Sequence, residues 1–228
     1  PQARFWRTAP AKQTGNVWEA ELPLLSTDSP LFAYANVVYQ LPQPEAVFVG
    51  PPTERLALSS ELHTATPDQL KSAGVRETDQ QSNLVEDFAN GWQDWYALNA
   101  TNPHHWEYST RKLSDARWKG SDGQKLILEV TAKEPNELVI ILTNNFFRSY
   151  RGPSREYVAV VQLKAGDKRE AVQLRCDQFQ TISGEKLENW DQVDLLSLRA
   201  YIEQDGKLLG SKGWQGPQPL FHQIRWTD

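Results

Sequence analysis

The sequence predicts an all-β protein whose main part is an antiparallel β-sandwich of the jelly-roll type. Strand-like runs recur along residues 84–228, polar turns separate them, and no segment has the apolar period of a long helix. In Lys125–Ala132, the apolar Leu126, Leu128 and Val130 fall at every second position, which is typical of a half-buried strand. Runs of this number and spacing are enough to form two packed sheets.

Residues 1–49 are predicted to form an N-terminal β extension. The strand candidates are Arg4–Thr8, Val17–Leu22 and Leu31–Leu41. Three strands make a single layer, which cannot bury its own apolar face. We therefore expect this section to pack against another domain.

Residues 50–83 are predicted to be a connector that carries one short helix. Gly50-Pro51-Pro52 interrupts regular structure. In the segment that follows, Thr66 is placed as N-cap, Pro67 as the first helical residue and Gly74 as the C-terminal cap. Two turns of helix are too short to be stable alone, so we expect Leu70 and Val75 to pin the connector to a neighbouring surface.

Residues 84–228 are predicted to form the sandwich itself. The runs at Lys125–Ala132 and Glu137–Thr143, joined by a polar turn with Pro135 and Asn136, are expected to pair as a β-hairpin at its centre. The other predicted strands are Leu84–Phe88, Trp106–Thr110, Tyr157–Lys164, Glu170–Cys176, Val193–Ile202 and Leu220–Thr227.

The charge and hydropathy of the chain bear on its partners. The formal net charge is −5 and the pI is near 5.5, which disfavours nucleic acid and anionic membranes because both need a basic surface. No apolar run approaches the length of a spanning helix. We therefore expect neither a nucleic-acid nor a membrane partner.

Catalytic residues do not form a recognisable pattern. The one cysteine, Cys176, continues the apolar phase of Val172 and Leu174 and is predicted to be a buried, inert thiol. A Gly-x-Ser-x-Gly elbow is missing, and the four histidines are not spaced as zinc ligands. We expect the chain not to be an enzyme.

An ordered set of motifs resembles the galactose-binding-like jelly rolls of carbohydrate-binding modules. The motifs are Val85-Glu86-Asp87-Phe88, Trp92, Gly123–Val130, Leu138–Leu142, Tyr157–Leu163, Asp177-Gln178-Phe179 and Asn189-Trp190-Asp191 followed by Leu195–Leu198. The resemblance covers residues 84–228 and implies a carbohydrate ligand. Folds of this kind often hold a structural calcium, which implies a possible metal site with oxygen ligands from Glu86, Asp87 and Asp228.

A second resemblance covers nearly the whole chain. It is similar to the non-catalytic C-terminal region of large bacterial α/β-hydrolase-like proteins, which are often secreted. The matching residues are Arg4-Phe5-Trp6-Arg7, Trp18–Pro23, Tyr34–Tyr39, Leu58-Ser59-Ser60, Thr66–Leu70 and Trp214–Pro217. This resemblance implies a hydrolase domain in the same parent chain and a secreted or periplasmic location.

Aromatic residues are the candidate ligand-binding groups. Trp92, Trp95, Tyr96 and Trp118 lie in segments with polar loops, where an exposed ring can stack on a sugar. Trp95 and Trp118 are the leading candidates for exposure, whereas Trp106 and Tyr108 share a strand face and are expected to be packed.

The predicted function is that of a non-catalytic accessory module that binds a polysaccharide or oligosaccharide. Two alternatives stay open. A docking domain that binds no sugar would expose an apolar sheet in residues 1–49, and a glycosidase or lyase would have a deep cleft with paired carboxylates.

Overall fold

The computed structural model describes residues 5–47, 51–146 and 152–228, and these form two compact units. One unit contains Gln81–Asp228 together with residues 5–8, and the other contains Ala9–Gln80. The predicted all-β class and antiparallel β-sandwich are confirmed. No helix among the described residues is both long and apolar enough to cross a membrane.

The described residues of the unit Ala9–Gln80 form three two-stranded ribbons and one helix. β1 (Ala11–Thr14) pairs with β2 (Val17–Ala20), β3 (Leu31–Ala33) with β6 (His63–Ala65), and β4 (Asn36–Glu45) with β5 (Thr53–Ser59). Phe5–Thr8 form no strand, and Arg4 and Gly50 lie outside the described residues. β5 falls within the predicted connector.

The helix α1 (Pro67–Ser72) forms as predicted. Thr66 is its N-cap, and the Gln69 side chain completes a capping box by bonding back to the Thr66 backbone. Gly74 follows the C-cap with φ +68°, a conformation that glycine adopts without strain. The sequence signals for helix start and stop are local, which is why they were sufficient here.

The other unit is a sandwich of two antiparallel sheets. Sheet I has the strand order β13 (Glu170–Leu174), β10 (Lys125–Thr131), β17 (Leu220–Thr227), β7 (Leu84–Glu86). Sheet II has the order β12 (Arg155–Leu163), β11 (Asn136–Asn144), β14 (Val193–Arg199), β9 (Glu107–Thr110), β8 (Trp95–Leu98). The chain crosses between the sheets at most connections, as in a jelly roll.

The expected hairpin of the Lys125 and Glu137 runs is wrong. β10 pairs with β13 and β17 in sheet I, whereas β11 pairs with β12 and β14 in sheet II. The turn at residues 132–135 therefore arches from one sheet to the other. Alternation identifies the buried face of a strand but carries no information on its partner, so both strands were recognised and their pairing was not.

The core lies between the two sheets. Leu126, Leu128 and Val130 from sheet I and Leu138, Ile140 and Leu142 from sheet II belong to one cluster of buried side chains. A second cluster lies on the outer face of sheet II. There the hairpin of β15 (Tyr201–Gln204) and β16 (Lys207–Gly210) contributes Ile202 and Leu209, which pack with Val139, Ile141 and Val158.

Candidate functional site

Trp92 and Trp95 are half-buried members of an aromatic cluster. The Trp92 ring stacks on Tyr108 with a centroid distance of 3.9 Å and an interplanar angle of 10°, and it meets Trp95 edge-on at 5.1 Å. The turn between β7 and β8 folds the chain back by placing Phe88 at φ 54° and Gly91 at φ 75°. One face of Trp92 is thus covered, and Trp95, one of the two rings predicted to be exposed, is half-buried instead. Trp106 and Tyr108 are buried, as expected.

Trp118 is also half-buried rather than exposed. Phe5 approaches it edge-on at 5.2 Å, and the Arg117 guanidinium and Lys112 ammonium lie 5.5 and 5.9 Å from its ring centroid. These groups surround the indole on which a sugar was expected to stack. The polar sequence around Trp118 predicted exposure, but Phe5 is more than a hundred residues away and its contact could not be foreseen.

Tyr96 is the exposed member of the predicted set. Successive side chains of a strand point to opposite faces, so Tyr96 on β8 lies on the outer face of sheet II while Trp95 points inward. The Arg111 guanidinium lies 5.7 Å from its ring centroid. The structure therefore does not bring Tyr96 and the three tryptophans together into one binding surface.

The predicted calcium site is not assembled. Glu86 is buried, and its Oε2 accepts hydrogen bonds from Lys112 Nζ at 2.7 Å and Trp95 Nε1 at 2.9 Å. Its Oε1 accepts from the backbone N–H groups of Asp87 and Phe88. With an ammonium group and three N–H donors on its oxygens, this carboxylate is not a calcium ligand.

The other two predicted ligands do not alter this result. The exposed Asp87 accepts a hydrogen bond from the Ala89 N–H, and Asp228 accepts one from Lys125 at its backbone oxygen. The part of the chain that the structure describes contains no group of three His, Cys, Asp or Glu residues able to hold a metal ion.

Two titratable side chains outside this region, His222 and Cys176, have structural partners. His222 Nε2 bonds Thr131 at 2.9 Å, and burial lowers the His222 pKa. Cys176 lies in a 3₁₀ turn rather than in a strand, and its thiol donates to the Leu187 carbonyl at 3.3 Å. Burial, with Asp177 and Asp122 nearby, raises the pKa of the Cys176 thiol to about 11, so the unreactive thiol is the stable form at neutral pH.

A shallow groove of about 380 Å³ opens on the sandwich unit. We call it the Lys119 groove, and it is lined by Gln81, Ala116, Lys119, Gly120, Ser121, Asp122 and Asp191. The carboxylates of Asp122 and Asp191 are exposed and accept no hydrogen bond from a described residue. This groove could not be predicted from the sequence because its walls come from segments some seventy residues apart.

Hydrogen bonds from two buried indole side chains hold the walls of the groove in place. Trp226 Nε1 donates to the Trp118 carbonyl at 2.8 Å, and Trp190 Nε1 donates to the Gln124 carbonyl at 3.0 Å. Gly120 lies flat on the Trp226 ring, where a Cβ atom would approach to 2.8 Å. Two buried indoles thus fix the backbone of residues 118–124, and the polar side chains of the groove project from a firm base.

A different kind of surface lies in the unit Ala9–Gln80. Of the described residues there, only Leu24 and Leu70 are buried. Cross-strand pairing puts Val37 beside Leu58 and Tyr39 beside Leu56 on one side of the β4–β5 ribbon. These four side chains, the apolar ribbon face, are each between 45% and 51% exposed.

Comparisons with known proteins give one structural likeness. No protein-family model and no curated protein matches the sequence. The chain is similar to a solved family 11 carbohydrate-binding module from Clostridium thermocellum in complex with a beta-1,3-1,4-mixed-linked tetrasaccharide. The sequence identity is 7% and the TM-score 0.31, over 86% of this chain and 82% of that chain. A likeness at this level carries no information about the ligand of this chain.

Proposed function

We propose that the chain is a non-catalytic accessory module that docks on a protein partner through Ala9–Gln80. The observation that carries this proposal is the apolar ribbon face. Its four half-exposed side chains present on the order of 300 Å² of apolar surface, as large as the main patch of a typical monomer. A unit with two buried residues among those described has almost no core of its own, so contact with a partner would supply the missing burial.

The partner we propose is a catalytic hydrolase domain in the same parent chain. The second resemblance of the sequence supports this choice, since it is to the non-catalytic region of hydrolase-like proteins. A secreted or periplasmic location would follow from the same resemblance. Because the ribbon is a two-stranded sheet with its apolar residues on one side, a sheet or helix surface of the hydrolase domain could cover that side without deep insertion.

The two sides of the ribbon provide a matched test of docking. The test uses the longer protein that contains both this chain and the proposed hydrolase domain. There the double variant Tyr39→Ser with Leu56→Ser should make both domains more susceptible to limited proteolysis. It should also speed up hydrogen exchange at the backbone amides of residues 36–59. The control, Val38→Ser with Ala57→Ser, alters the neighbouring cross-strand pair on the opposite side. Equal effects of the two double variants, or unchanged protection in both, would contradict docking through the apolar ribbon face.

A second candidate function, carbohydrate binding by the sandwich unit, is favoured by the Lys119 groove. Its volume falls at the lower end of the range for small-molecule sites, and its exposed carboxylates are suited to accept hydrogen bonds from sugar hydroxyls. Retardation of the chain in gels containing soluble plant or algal polysaccharides would support this function. Mobility unchanged across the whole panel would contradict it and leave the docking proposal in place.

The proposal also states that the chain has no hydrolase activity of its own. Assays with aryl esters and aryl glycosides should give no turnover above that of buffer. Turnover that disappears on a single substitution within the chain, such as Asp122→Ala or His104→Ala, would contradict it.

A further inference from the structure

We propose that the Lys119 groove selects an uncharged saccharide and rejects one that carries carboxylates. This inference rests on the proposed carbohydrate binding and names the ligand class. It follows from the charges and hydrogen bonds of the groove's own residues.

The acidic groups of the groove are available to a ligand. Asp122 and Asp191 have exposed side chains, and neither carboxylate accepts a hydrogen bond from a described residue. A carboxylate is an acceptor only, and a sugar hydroxyl is a donor that can reach it. Hydrogen bonds to a charged acceptor are the stronger kind, so these two groups would contribute most of the polar binding energy.

The cationic group that lines the groove, Lys119, is held in place by the opposite wall and keeps its charge. Lys119 Nζ donates to the backbone carbonyl of Asp191 at 2.6 Å, which ties the two walls together. The remaining lining residues, Gln81, Ala116, Gly120 and Ser121, are uncharged. A uronate entering the groove would thus meet two carboxylates against one ammonium, and the net charge of the chain, −5, adds to the repulsion.

The groove is also rigid enough to discriminate between ligands. Gln81 Nε2 donates to the Lys119 carbonyl at 2.6 Å, and Ser121 and Gln124 exchange hydrogen bonds across the turn that holds Asp122. Together with the indole bonds from Trp190 and Trp226, these contacts set the backbone of both walls before any ligand arrives. Affinity is therefore not lost to ordering the loops.

The test is a titration of the whole ¹⁵N-labelled chain with neutral tetrasaccharides of glucose, mannose and xylose, and separately with tetragalacturonate. A neutral tetrasaccharide should shift the amides of residues 119–122 and 191, and tetragalacturonate should not. The double variant Asp122→Ala with Asp191→Ala should lower the affinity for the neutral ligand about tenfold or more. Because both side chains are exposed, its spectrum should keep the dispersion of the unaltered chain.

A matched control removes the same charge from positions of the sandwich unit outside the groove. Asp167→Ala with Glu203→Ala should leave binding of the neutral ligand unchanged, because these carboxylates pair with Lys133 and Lys212 and do not line the groove. Equal binding of tetragalacturonate at the groove, or saccharide shifts confined to other residues, would overturn the selection of uncharged sugars while carbohydrate binding stood. Absence of any shift with every probe would overturn carbohydrate binding itself.

Discussion

At the scale of single residues, the buried pair of Glu86 and Lys112 places two charges away from solvent. Their side chains are 6% and 8% exposed, so each charge is compensated by the other and by the hydrogen bonds that Glu86 accepts. A buried pair of this kind adds little net stability, but removing one partner leaves an uncompensated charge. It also sets the orientation of Trp95, whose indole N–H is bound to the same carboxylate.

The pair gives a direct prediction for stability. Lys112→Met should lower the free energy of unfolding by about 3 kcal/mol or more, because the Glu86 carboxylate stays buried without its countercharge. Chemical denaturation measures this change. Adding Glu86→Gln should recover most of the loss, since an amide carries no charge. Lys71→Met, which breaks the exposed pair with Asp28, serves as control and should have little effect.

A second residue prediction separates packing from ligand binding among the aromatics. Trp92→Ala should lower the free energy of unfolding by about 3 kcal/mol, because the ring is stacked on Tyr108 and contacts Trp95. Tyr96→Ala, on the exposed face of the next strand, should cost less than about 1 kcal/mol. If Trp92→Ala instead abolished polysaccharide binding at unchanged stability, the indole would be a sugar-binding surface after all.

At the scale of elements, most strands of the sandwich could be predicted and their partners could not. The Leu220–Thr227 strand was predicted to the residue, although a register shift against β10 separates buried Phe221 from buried Ile224 by three positions. β8 was not predicted because it has only four residues. Asp94 and Asn99, which flank it and both have positive φ, make the segment look like a loop in sequence. Strand periodicity is local, whereas the pairing of β10 with β17 depends on residues about a hundred positions apart.

The hairpin β15–β16 is an element whose seating depends on one glycine. Gly210 has φ +86°, and a Cβ atom there would lie 2.4 Å from Val139 Cγ2 and 2.6 Å from the Ala200 carbonyl oxygen. Gly210→Ala should therefore lift the hairpin from sheet II and cost about 2 kcal/mol or more.

Hydrogen exchange of the Gly210→Ala chain measures this effect. Exchange should speed up in residues 201–210 before it does in β10 or β17. Gly213→Ala is the control, because its nearest neighbour would be the Gln215 side chain at 3.9 Å. If protection against exchange were instead lost uniformly across both sheets, the hairpin would not unfold separately from the sandwich.

At the scale of the whole molecule, the candidate sites could be predicted only in part from the sequence. The aromatic residues were singled out for their polar neighbours in sequence, but Phe5, Tyr108 and Lys112 cover them in space. The apolar ribbon face had a readable signal in the alternation of Val37 with Tyr39 and of Leu56 with Leu58. Pro51 and Pro52 indicated a connector, so the strand that follows them, β5, was not predicted.

The independence of the sandwich stays a prediction that can be tested directly. Residues 84–228 should unfold cooperatively when expressed alone, because the core between sheets I and II comes from this segment. Residues 1–49 alone should not, since the structure gives them exposed strands and one buried leucine among their described residues. Circular dichroism during thermal unfolding distinguishes these outcomes. A cooperative transition in the N-terminal piece would place the boundary elsewhere.

The central position of β17 in sheet I also determines when the sandwich can form during synthesis. β7, near residue 85, has no described partner except β17, and β10 has β17 along one of its edges. A nascent chain that has reached residue 200 thus carries an open, apolar β10 edge and an unpaired β7, with nothing yet to close them. Sheet I can be completed only after residue 227 has left the ribosome, so β7 and one edge of β10 stay open to pairing with other chains until then.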